Sequence, residues 1–565
     1  GIPASGPIVR NLTLWVGFLG AAVAAREGRM LALATGQLIP EGRLREAASV
    51  FAATVAAIVS AMLAWASAEM VLVDRGAGME IGAGIKEWWA EAMLPIAFTL
   101  IAVRVALLAS KRWPGRVVAL LGVAAGFWLG WKEEALLFGG PAWIAIAIIV
   151  AAVVLGAPLF VGLGGAALAL FLGESVPSMA IPAETYRLAV NPSLAAIPLF
   201  TLAGFALAEG KQASQRLLRL FRAFFGWIPG GTAAVTAVLC AFFTVLTGGS
   251  GVTILAVGGL LLPALVADGY RDKFALGLVT AAGSNGLLWP PALPLILYSI
   301  AAEIPYQDLF IAGAVPGLIM LGMLVTWGVR EGRLAKVMRV PFDGKEAAAA
   351  LWEAKWEVLI PVIVLGVIFS GIATIVESAA LVALYTLVTQ CFIHRDLSIR
   401  RDLIRVLQLT ALTVGGVLVI LGVAVGLTNY LVDAQVAARV TQWAQETIHS
   451  KFVFLLALNG LLILVGALMD IFSAIFVVVP LILPIGLAFG IDPVHLGIIF
   501  IANAELGYLL PPVGENLFYS SFRFGRPLWE VARASVPFII MMTIGVLLIT
   551  YVPALTLAPL RWMGR

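Results

Sequence analysis

Long apolar segments recur along the whole of this 565-residue chain, and each is long enough to cross a lipid bilayer. A transmembrane helix needs about 20 predominantly apolar residues. The segments lie at residues 46–73, 92–110, 142–172, 307–329, 357–393, 407–430 and 534–558. Only 12% of the residues are charged against 61% hydrophobic, which leaves too few charges for the surface of a sizeable soluble domain. The sequence therefore predicts an all-α integral membrane protein.

Two stretches in the second half of the chain have nearly the same pattern, SNGLLWPPALPL at Ser284–Leu295 and ELGYLLPPVGEN at Glu505–Asn516. Their glycines, Gly286 and Gly507, are 221 residues apart (507 − 286), and a double proline follows each at the same spacing. The same offset relates, without a gap, Pro263 to Pro484, Ala267 to Ala488, Gly269 to Gly490 and Ala281 to Ala502. The chain therefore contains an internal repeat.

Basic loops indicate how the two copies are oriented in the membrane. Lysine and arginine collect in the short cytoplasmic loops of membrane proteins, and here they lie at residues 26–29, 111–116, 330–339, 395–405 and 523–526. Counting the apolar segments between these loops predicts that the segment with LLWPP begins inside and that the segment with LLPP begins outside. The two copies are therefore predicted to be inverted relative to each other.

Each copy begins with an apolar segment that small or polar residues interrupt, LTGGSGVT at Leu246–Thr253 and GALMDIFSAI at Gly466–Ile475. We expect each to be a re-entrant hairpin, the first open to the cytoplasm and the second to the outside. The double prolines break the helices that follow, because proline removes a backbone donor. Broken backbone at membrane depth needs protein or a wet cavity around it. One copy alone would favour a simple kink, but two inverted copies are typical of secondary transporters.

Several other functions lack their sequence signatures. The chain has no His-Glu-x-x-His pair, phosphate loop or Gly-x-Ser-x-Gly elbow, so an enzyme and an ATP-driven pump are disfavoured. Cys240 and Cys391 lie in apolar segments, and the three histidines have no metal-ligand spacing. The net charge is +4, and the basic residues do not form a cluster interleaved with aromatic residues. This argues against nucleic acid as a partner, so we expect the basic residues to contact membrane lipid.

Six segments resemble the large membrane subunit of the tripartite ATP-independent periplasmic (TRAP) transporters: AAIPLFTLAGFAL, GWIPGGTAAV, TGGSGVTILAVGGLLLPALVADGY, GIATIVESAALVALYTL, MDIFSAIFVVVPLILPI and GIDPVHLGIIFIANAELGYLLPPVGENLF. The resemblance extends over residues 137–565. Residues 1–112, with FLGAAVAAREGR and IKEWWAEAMLPIAFTLIAVRVALL, are similar to the small membrane subunit of that family, whose first helix we expect to be missing here. Residues 113–136 resemble the connecting helix of fused versions.

This resemblance implies a mechanism as well as a fold. Inverted repeats would occupy about 194–330 and 407–558, and the parts of a moving transport domain about 229–300 and 451–521. The family resemblance implies a sodium-coupled importer of the elevator type in the bacterial inner membrane, with the other helices as a stator. It also implies a separate periplasmic substrate-binding protein as partner, and a small organic acid or related solute as cargo.

The resemblance further implies two or more sodium sites and no organic cofactor. Carbonyl groups near Thr247, Gly286, Trp289 and Pro291 would form one site, and those of Gly466, Gly507, Leu510 and Val513 the other. The repeat supports this pairing, because Trp289 and Leu510, like the two central glycines, are 221 residues apart. Asp470 matches an acid of the family, and we expect it to stabilise a cation or the hairpin tip rather than act only as a helix cap.

Polar side chains in the same helices are the candidate substrate-binding residues: Ser250, Ser284, Asn285, Ser473, Asn503, Glu505, Glu515 and Asn516. The neutral ones could equally form ordinary hydrogen bonds between helices. An ionisable residue at membrane depth is costly and by default functional. Since two carboxylates would repel an acid, we expect Glu505 and Glu515 to recognise an amine or hydroxyl group, to pair with a cation or to carry a proton. The alternative for Glu515 is a position facing the stator or solvent at the cavity mouth.

The sequence departs from the family pattern at four positions of the expected site. Glu515 stands where the family has an apolar or small residue, Leu510 where it has threonine, Ala292 where it has serine and Trp289 where it has an aliphatic residue. We therefore keep three alternatives to the sodium-coupled importer: a proton-coupled transporter, an elevator transporter that needs no binding protein, and an ion channel. A channel needs a continuous polar pore lining, whereas this sequence offers isolated polar points, and the fused small-subunit region favours a binding protein.

Overall fold

The computed structural model describes residues 5–32, 39, 42–82, 84–133, 142–189, 191–210, 212–337, 341–511 and 514–564. In these residues the only strands form a short antiparallel hairpin, β1 (Glu80–Gly82) and β2 (Ile85–Lys86), and the remaining regular structure is helical. The prediction of an all-α protein is therefore confirmed.

The helices of the first half, in chain order, are α1 (Ser5–Glu27), α2 (Arg43–Ala77), α3 (Glu87–Glu91), α4 (Met93–Leu108), α5 (Trp113–Trp131), α6 (Ala142–Val154), α7 (Leu159–Gly173), α8 (Ala180–Ala189), α9 (Ala196–Ala208), α10 (Ala213–Phe225), α11 (Gly231–Thr247), α12 (Ser250–Ala267), α13 (Asp272–Ala282) and α14 (Leu293–Ala301). A 3₁₀ turn at Pro192–Ala195 precedes α9.

The helices of the second half are α15 (Tyr306–Leu334), α16 (Gly344–Glu353), α17 (Lys355–Ser370), α18 (Ile375–Val388), α19 (Asp402–Asp433), α20 (Val436–Thr447), α21 (Lys451–Leu468), α22 (Ile471–Ala488), α23 (Pro493–Gly507), α24 (Glu515–Phe524), α25 (Leu528–Tyr551) and α26 (Ala554–Trp562). A π-helical turn at Thr389–Ile393 extends α18.

Eleven helices of the described chain are long and apolar enough to cross a membrane, and the count becomes twelve if one bent helix pair is a single span. Two of the apolar segments nevertheless fold as two helices each. The segment 142–172 divides between α6 and α7, where Gly156 has a φ of +106° and Pro158 precedes α7. The segment 357–393 divides at Gly371, which ends α17 with a φ of +68°. Both breaks follow from backbone conformations that favour glycine or proline.

The first of two compact units comprises residues 1–198, 408–439 and 476–480. Its small-subunit-like part is centred on α2, which packs between α4 and α5. The glycines of α5 allow a close approach, since a Cβ atom on Gly126 would lie 2.5 Å from the carbonyl oxygen of Ile58. Small residues that let helix backbones approach are the usual packing device in membranes.

The second unit comprises residues 199–407, 440–475 and 481–565, and it contains the predicted hairpins and broken helices except for residues 476–480 of the second hairpin. We call α11–α12 the first hairpin, α13–α14 the first broken helix, α21–α22 the second hairpin and α23–α24 the second broken helix. The offset of 221 holds at the level of helix ends, because α12 (Ser250–Ala267) and α22 (Ile471–Ala488) correspond at both termini. Gly269 and Gly490, which follow them, both have a positive φ. The repeat found in the sequence is therefore a structural repeat.

A buried ionic cluster in the second unit joins α10 to α17 and to the segment after α18. Arg216 is 5% exposed, and its Nε donates to Glu357 Oε1 at 2.9 Å while its Nη2 donates to Asp396 Oδ2 at 2.7 Å. Buried charges are tolerated only when they are paired in this way. The cluster fixes the helix that leads into the first hairpin.

Candidate functional site

The tip of the second hairpin is organised by Asp470, which lies between α21 and α22. Its Oδ1 accepts hydrogen bonds from the backbone N–H groups of Phe472 and Ser473, both at 3.0 Å, and its Oδ2 accepts from Ser473 Oγ at 2.5 Å. The N–H of Ile471 donates to the hydroxyl of the fully buried Tyr508 at 2.7 Å. Asp470 is thus the N-cap of α22 and stabilises the hairpin tip.

The tip of the first hairpin is formed by Gly248 and Gly249, between α11 and α12. Gly248 has a φ of +70°, which ends α11 in the left-handed conformation. The hydroxyl of Thr247 donates to the carbonyl of Gly249 at 3.3 Å, and that of Thr244 donates to the carbonyl of Gly283 at 2.7 Å. The second bond ties this hairpin to the start of the break in the first broken helix.

Each broken helix is in close contact with the first arm of its own hairpin, and a glycine makes each contact possible. A Cβ atom on Gly286 would lie 2.5 Å from the carbonyl oxygen of Ala241, and one on Gly507 would lie 2.7 Å from Cα of Gly466. Real Cβ atoms do not approach backbone so closely, so neither position accepts a side chain without movement of the hairpin. The two candidate cation sites thus have the same local architecture.

Both breaks also begin with the same turn. The carbonyl of Gly286 accepts from the N–H of Trp289 at 3.1 Å, and the carbonyl of Gly507 accepts from the N–H of Leu510 at 3.0 Å. A carbonyl oxygen has two lone pairs, so each keeps one for a further ligand. Oxygen ligands of this kind suit a hard cation, as in transporters with broken helices. Pro291 is buried in the first break, and Val513 lies outside the described residues.

The two broken helices are bonded to each other. Asn516 Nδ2 in α24 donates to the carbonyl of Thr280 at 3.0 Å and to Ser284 Oγ at 3.2 Å, and Thr280 Oγ1 donates to Ser520 Oγ at 2.8 Å. Thr280 and Ser284 belong to the first broken helix, more than 230 residues earlier in the chain. Two of the predicted site residues, Ser284 and Asn516, are therefore brought into direct contact.

The two glutamates have different surroundings. Glu505 is fully buried and faces the backbone N–H groups of Leu287 and Leu288 in the first break, but neither of its oxygens has a hydrogen-bond partner among the described residues. Glu515, the first residue of α24, lies beside the Tyr508 hydroxyl and near the carboxylate of Asp470. Two carboxylates and a hydroxyl therefore cluster at the second hairpin tip.

Several buried polar atoms of the predicted site lack a partner in the part of the chain that the structure describes. They are Ser250 Oγ, both side-chain polar atoms of Asn285, Trp289 Nε1, Asn503 Oδ1, both oxygens of Glu505 and Asn516 Oδ1. Buried polar groups in native proteins are nearly always hydrogen-bonded, to protein, water or ligand. The residues chosen from the sequence thus include several buried polar groups with hydrogen-bonding capacity left for water or a polar solute.

Ser473 and Asn503 are two further predicted residues that have protein partners. Ser473 belongs to the cap of α22, as described above. Asn503 donates to Asn459 Oδ1 at 2.7 Å and to the carbonyl of Ile499 at 2.8 Å, so it serves as a bond between α21 and α23. The sequence analysis missed Tyr508 and Tyr519, whose rings lie at the two hairpin tips. Tyr508 could have been predicted, because it is a polar aromatic residue directly after Gly507 at the second break. No local sequence feature distinguishes Tyr519.

Comparison with known proteins identifies both parts of the chain. The family model of the tripartite ATP-independent periplasmic transporter DctM component matches residues 145–555, and that of the DctQ component matches residues 2–115. The first match alone covers well over half of the chain. Both agree with the resemblance recognised in the sequence.

Three relatives illustrate the match. Isethionate TRAP transporter permease protein DctMQ of Oleidesulfovibrio alaskensis is 34% identical over 82% of this chain and 73% of that protein. C4-dicarboxylate TRAP transporter large permease protein DctM of Pseudomonas aeruginosa is 35% identical over 71% of this chain and 94% of that protein. Ectoine TRAP transporter large permease protein TeaC of Halomonas elongata is 29% identical over 73% of this chain and 97% of that protein. The chain belongs to the tripartite ATP-independent periplasmic transporter family, with its DctQ and DctM components in one polypeptide.

Proposed function

We propose that this protein is the membrane permease of a sodium-coupled importer, which receives a small organic anion from a periplasmic binding protein and carries it inward by an elevator movement. It is a multi-pass protein of the inner membrane, and transport rather than catalysis is the activity of its family. The direction, the coupling ion and the movement are parts of the proposal.

The observation that carries the proposal is the paired contact of Gly286 with the first hairpin and of Gly507 with the second. In both places a glycine carbonyl at a helix break, with one lone pair to spare, lies against a hairpin arm. A sodium ion bound at such a break would join the broken helix to the hairpin. Occupied sites would then stabilise the closed hairpin tip, and empty sites would let it open.

Bonds between the two broken helices support a rigid moving body. Asn516 joins α24 to α13 through the carbonyl of Thr280 and the hydroxyl of Ser284. The second hairpin is attached to the same body through the bond from Ile471 to Tyr508. A transport domain that moves as one piece past a stator needs bonds between its own elements. Bonds that stay formed during the movement keep the substrate site intact.

Relatives suggest the class of cargo and the partner. Their names refer to isethionate, C4-dicarboxylates and ectoine, which are small solutes that carry at least one anionic group. In a tripartite transporter a periplasmic protein supplies the solute, so we propose the same for this chain. Proton coupling through Glu505 remains the second candidate, because its buried carboxylate has no partner among the described residues.

Transport by purified protein in lipid vesicles tests this proposal. Uptake of isethionate, succinate and ectoine would be measured with a sodium, potassium or proton gradient, with and without periplasmic extract from the source bacterium. We expect uptake of at least one solute only with sodium and extract together. Uptake driven by the proton gradient alone would favour Glu505 as the coupling group, and uptake without extract would refute the role of a binding protein.

A further inference from the structure

The outgoing arm of the first hairpin, α12, is packed along the second broken helix. Three glycines of α12 each lie directly against a side chain of α24: Gly251 against Tyr519, Gly258 against Phe524 and Gly259 against Arg523. A Cβ atom on Gly258 would lie 3.0 Å from Phe524 Cζ, which is tighter than ordinary van der Waals contact. Leu262 of α12 also packs against the hydrophobic cluster that contains Leu517 of α24. The two helices therefore interlock over about three helical turns, and we call Tyr519, Phe524 and Arg523 the clamp.

The clamp has no counterpart at the second hairpin in the described residues. At the offset of 221, the clamp residues correspond to Tyr298, Glu303 and Ala302, and the facing glycines correspond to Phe472, Val479 and Pro480. Tyr298 packs elsewhere, because its hydroxyl donates to the carbonyl of Pro493 at 3.1 Å and a Cβ atom on Gly497 would lie 2.6 Å from its Cε1. Helix α14 makes few contacts with residues 471–475 or 481–488 of α22, so this part of the second hairpin is not clamped by the opposite broken helix.

Hydrogen bonds between the arms show the same difference. The hydroxyl groups of Thr244 and Thr253 lie 2.8 Å apart across the two arms of the first hairpin, and Thr244 also donates to the carbonyl of Gly283 at 2.7 Å. The two threonines correspond to Val465 and Ala474 in the second hairpin, which have no hydroxyl group. The outgoing arm of the second hairpin is attached at its tip instead, where the N–H of Ile471 donates to the Tyr508 hydroxyl at 2.7 Å.

Helix α22 also contains a bending point of its own. Pro480 lies in its interior and has no N–H group, so the carbonyl of Phe476 loses its helical donor. Sharp bends in helices occur mainly at such prolines. The equivalent residue of α12 is Gly259, which keeps its N–H group. The tip of α22 can therefore bend away from its base, whereas α12 is held along its length by the clamp.

We propose that the second hairpin alone opens during transport, by movement of α22, while the first hairpin stays closed against the second broken helix. The solute therefore enters from the outside and leaves to the cytoplasm past the same tip, before and after the transport domain has moved. This inference rests on the proposed function and specifies the gate of its transport domain. The Asp470 bonds lie within the first turn of α22, so the helix start stays capped while the Ile471 bond to Tyr508 breaks and re-forms.

Hydrogen–deuterium exchange of the full chain in lipid nanodiscs, read by mass spectrometry, tests the inference without a substitution. The comparison uses equivalent helical amides of the two outgoing arms, at residues 254–261 and 475–482. Helical amides exchange when their segment opens locally. In potassium buffer we expect protection factors in α22 to be about tenfold or more below those in α12, because α12 has the additional bonds and packing. Equal protection of the two arms, or weaker protection of α12, would overturn the inference.

Sodium separates this inference from the proposed coupling. We expect sodium to slow exchange in α22 and to leave α12 unchanged. Both arms are compared in the same sample, so the difference between them is measured whether or not sodium has an effect. A lack of any sodium response would count against the sodium coupling and would leave the assignment of the gate to the difference in protection.

A cross-link provides the functional test. Gly259→Cys and Arg523→Cys introduce two exposed thiols on facing helices, in a chain that also carries Cys240→Ala and Cys391→Ala. Since the arginine side chain reaches Gly259, a bifunctional maleimide of about that length will bridge the pair. Gly259→Cys alone in the same background, treated with the same reagent, is the matched control.

Solute uptake would be measured in vesicles, as for the proposed function. We expect the cross-linked protein to keep the uptake rate of the treated control, because the first hairpin does not need to leave α24. Loss of uptake in the cross-linked protein alone would overturn the inference. If the control does not transport either, the proposed function fails, and the exchange comparison of the two arms still decides which hairpin opens.

Discussion

Replacement of Gly507 by alanine should separate the two elements on which the proposed sodium site depends. The glycine lies in the second broken helix where it crosses the first arm of the second hairpin. A methyl group there would lie 2.6 Å from the carbonyl carbon of Gly466 and 2.7 Å from its Cα, and 2.9 Å from the backbone nitrogen of Ala467. All three are backbone atoms, so no side-chain rotation can relieve the clash and the helices must move apart.

The expected cost is about 1–3 kcal/mol of unfolding free energy, the range for overpacking in a close-packed interior. Gly460→Ala is the matched control, because Gly460 lies in the same hairpin arm and a Cβ atom there meets nothing within 4 Å. That substitution should stabilise the helix by about 1 kcal/mol through lower backbone entropy. Thermal unfolding of both variants and of the wild type, in sodium and in potassium, provides the assay.

Displacement of the hairpin would also disturb the carbonyl groups of the break. Gly507→Ala should therefore lose most of the stabilisation by sodium, whereas Gly460→Ala should keep it. If Gly507→Ala is as stable as the wild type and responds fully to sodium, the close contact is not essential and the reasoning from Gly507 is wrong.

Two further substitutions have definite expected outcomes. Arg216→Met leaves two buried carboxylates without their arginine partner and should cost about 3–5 kcal/mol of unfolding free energy, measured by thermal unfolding. Arg219→Met removes only solvent-exposed ion pairs and should change the stability little. Equal losses of stability in the two variants would contradict the role of the buried cluster. Glu505→Gln replaces a buried carboxyl group that has no hydrogen-bond partner among the described residues, so it should raise the unfolding temperature while lowering uptake in vesicles. Unchanged uptake would show that Glu505 has no part in transport.

Sequence signals of local origin predicted the elements of the site well. Glycine at the first hairpin tip and an aspartate at the second mark positions where a helix must end or begin, and the structure breaks α11 and starts α22 there. The offset of 221 residues between Gly286 and Gly507 can be detected by comparing the sequence with itself. Such features depend on backbone conformation, which neighbouring residues largely determine.

Contacts between distant segments could not be predicted in this way. The bond from Asn516 to Ser284 joins residues 232 apart, and no periodicity indicates that these two side chains face each other. The sequence likewise allowed Asn503 either a pocket or a bond between helices, and only the position of Asn459 decides for the bond. The absence of a partner for Glu505 among the described residues is also a property of the packed structure, because it depends on which helices surround the carboxylate.

The most direct test of the account is the thermal stability of the purified protein in sodium against potassium at constant ionic strength, repeated with Asp470→Ala. A ligand that binds only the folded state raises its stability, by about 2.7 kcal/mol when its concentration is about 100 times the dissociation constant. We predict selective stabilisation by sodium, and a smaller effect after the loss of the carboxylate that caps α22 and supports the second site. Equal stability of the wild type in sodium and potassium would contradict sodium coupling.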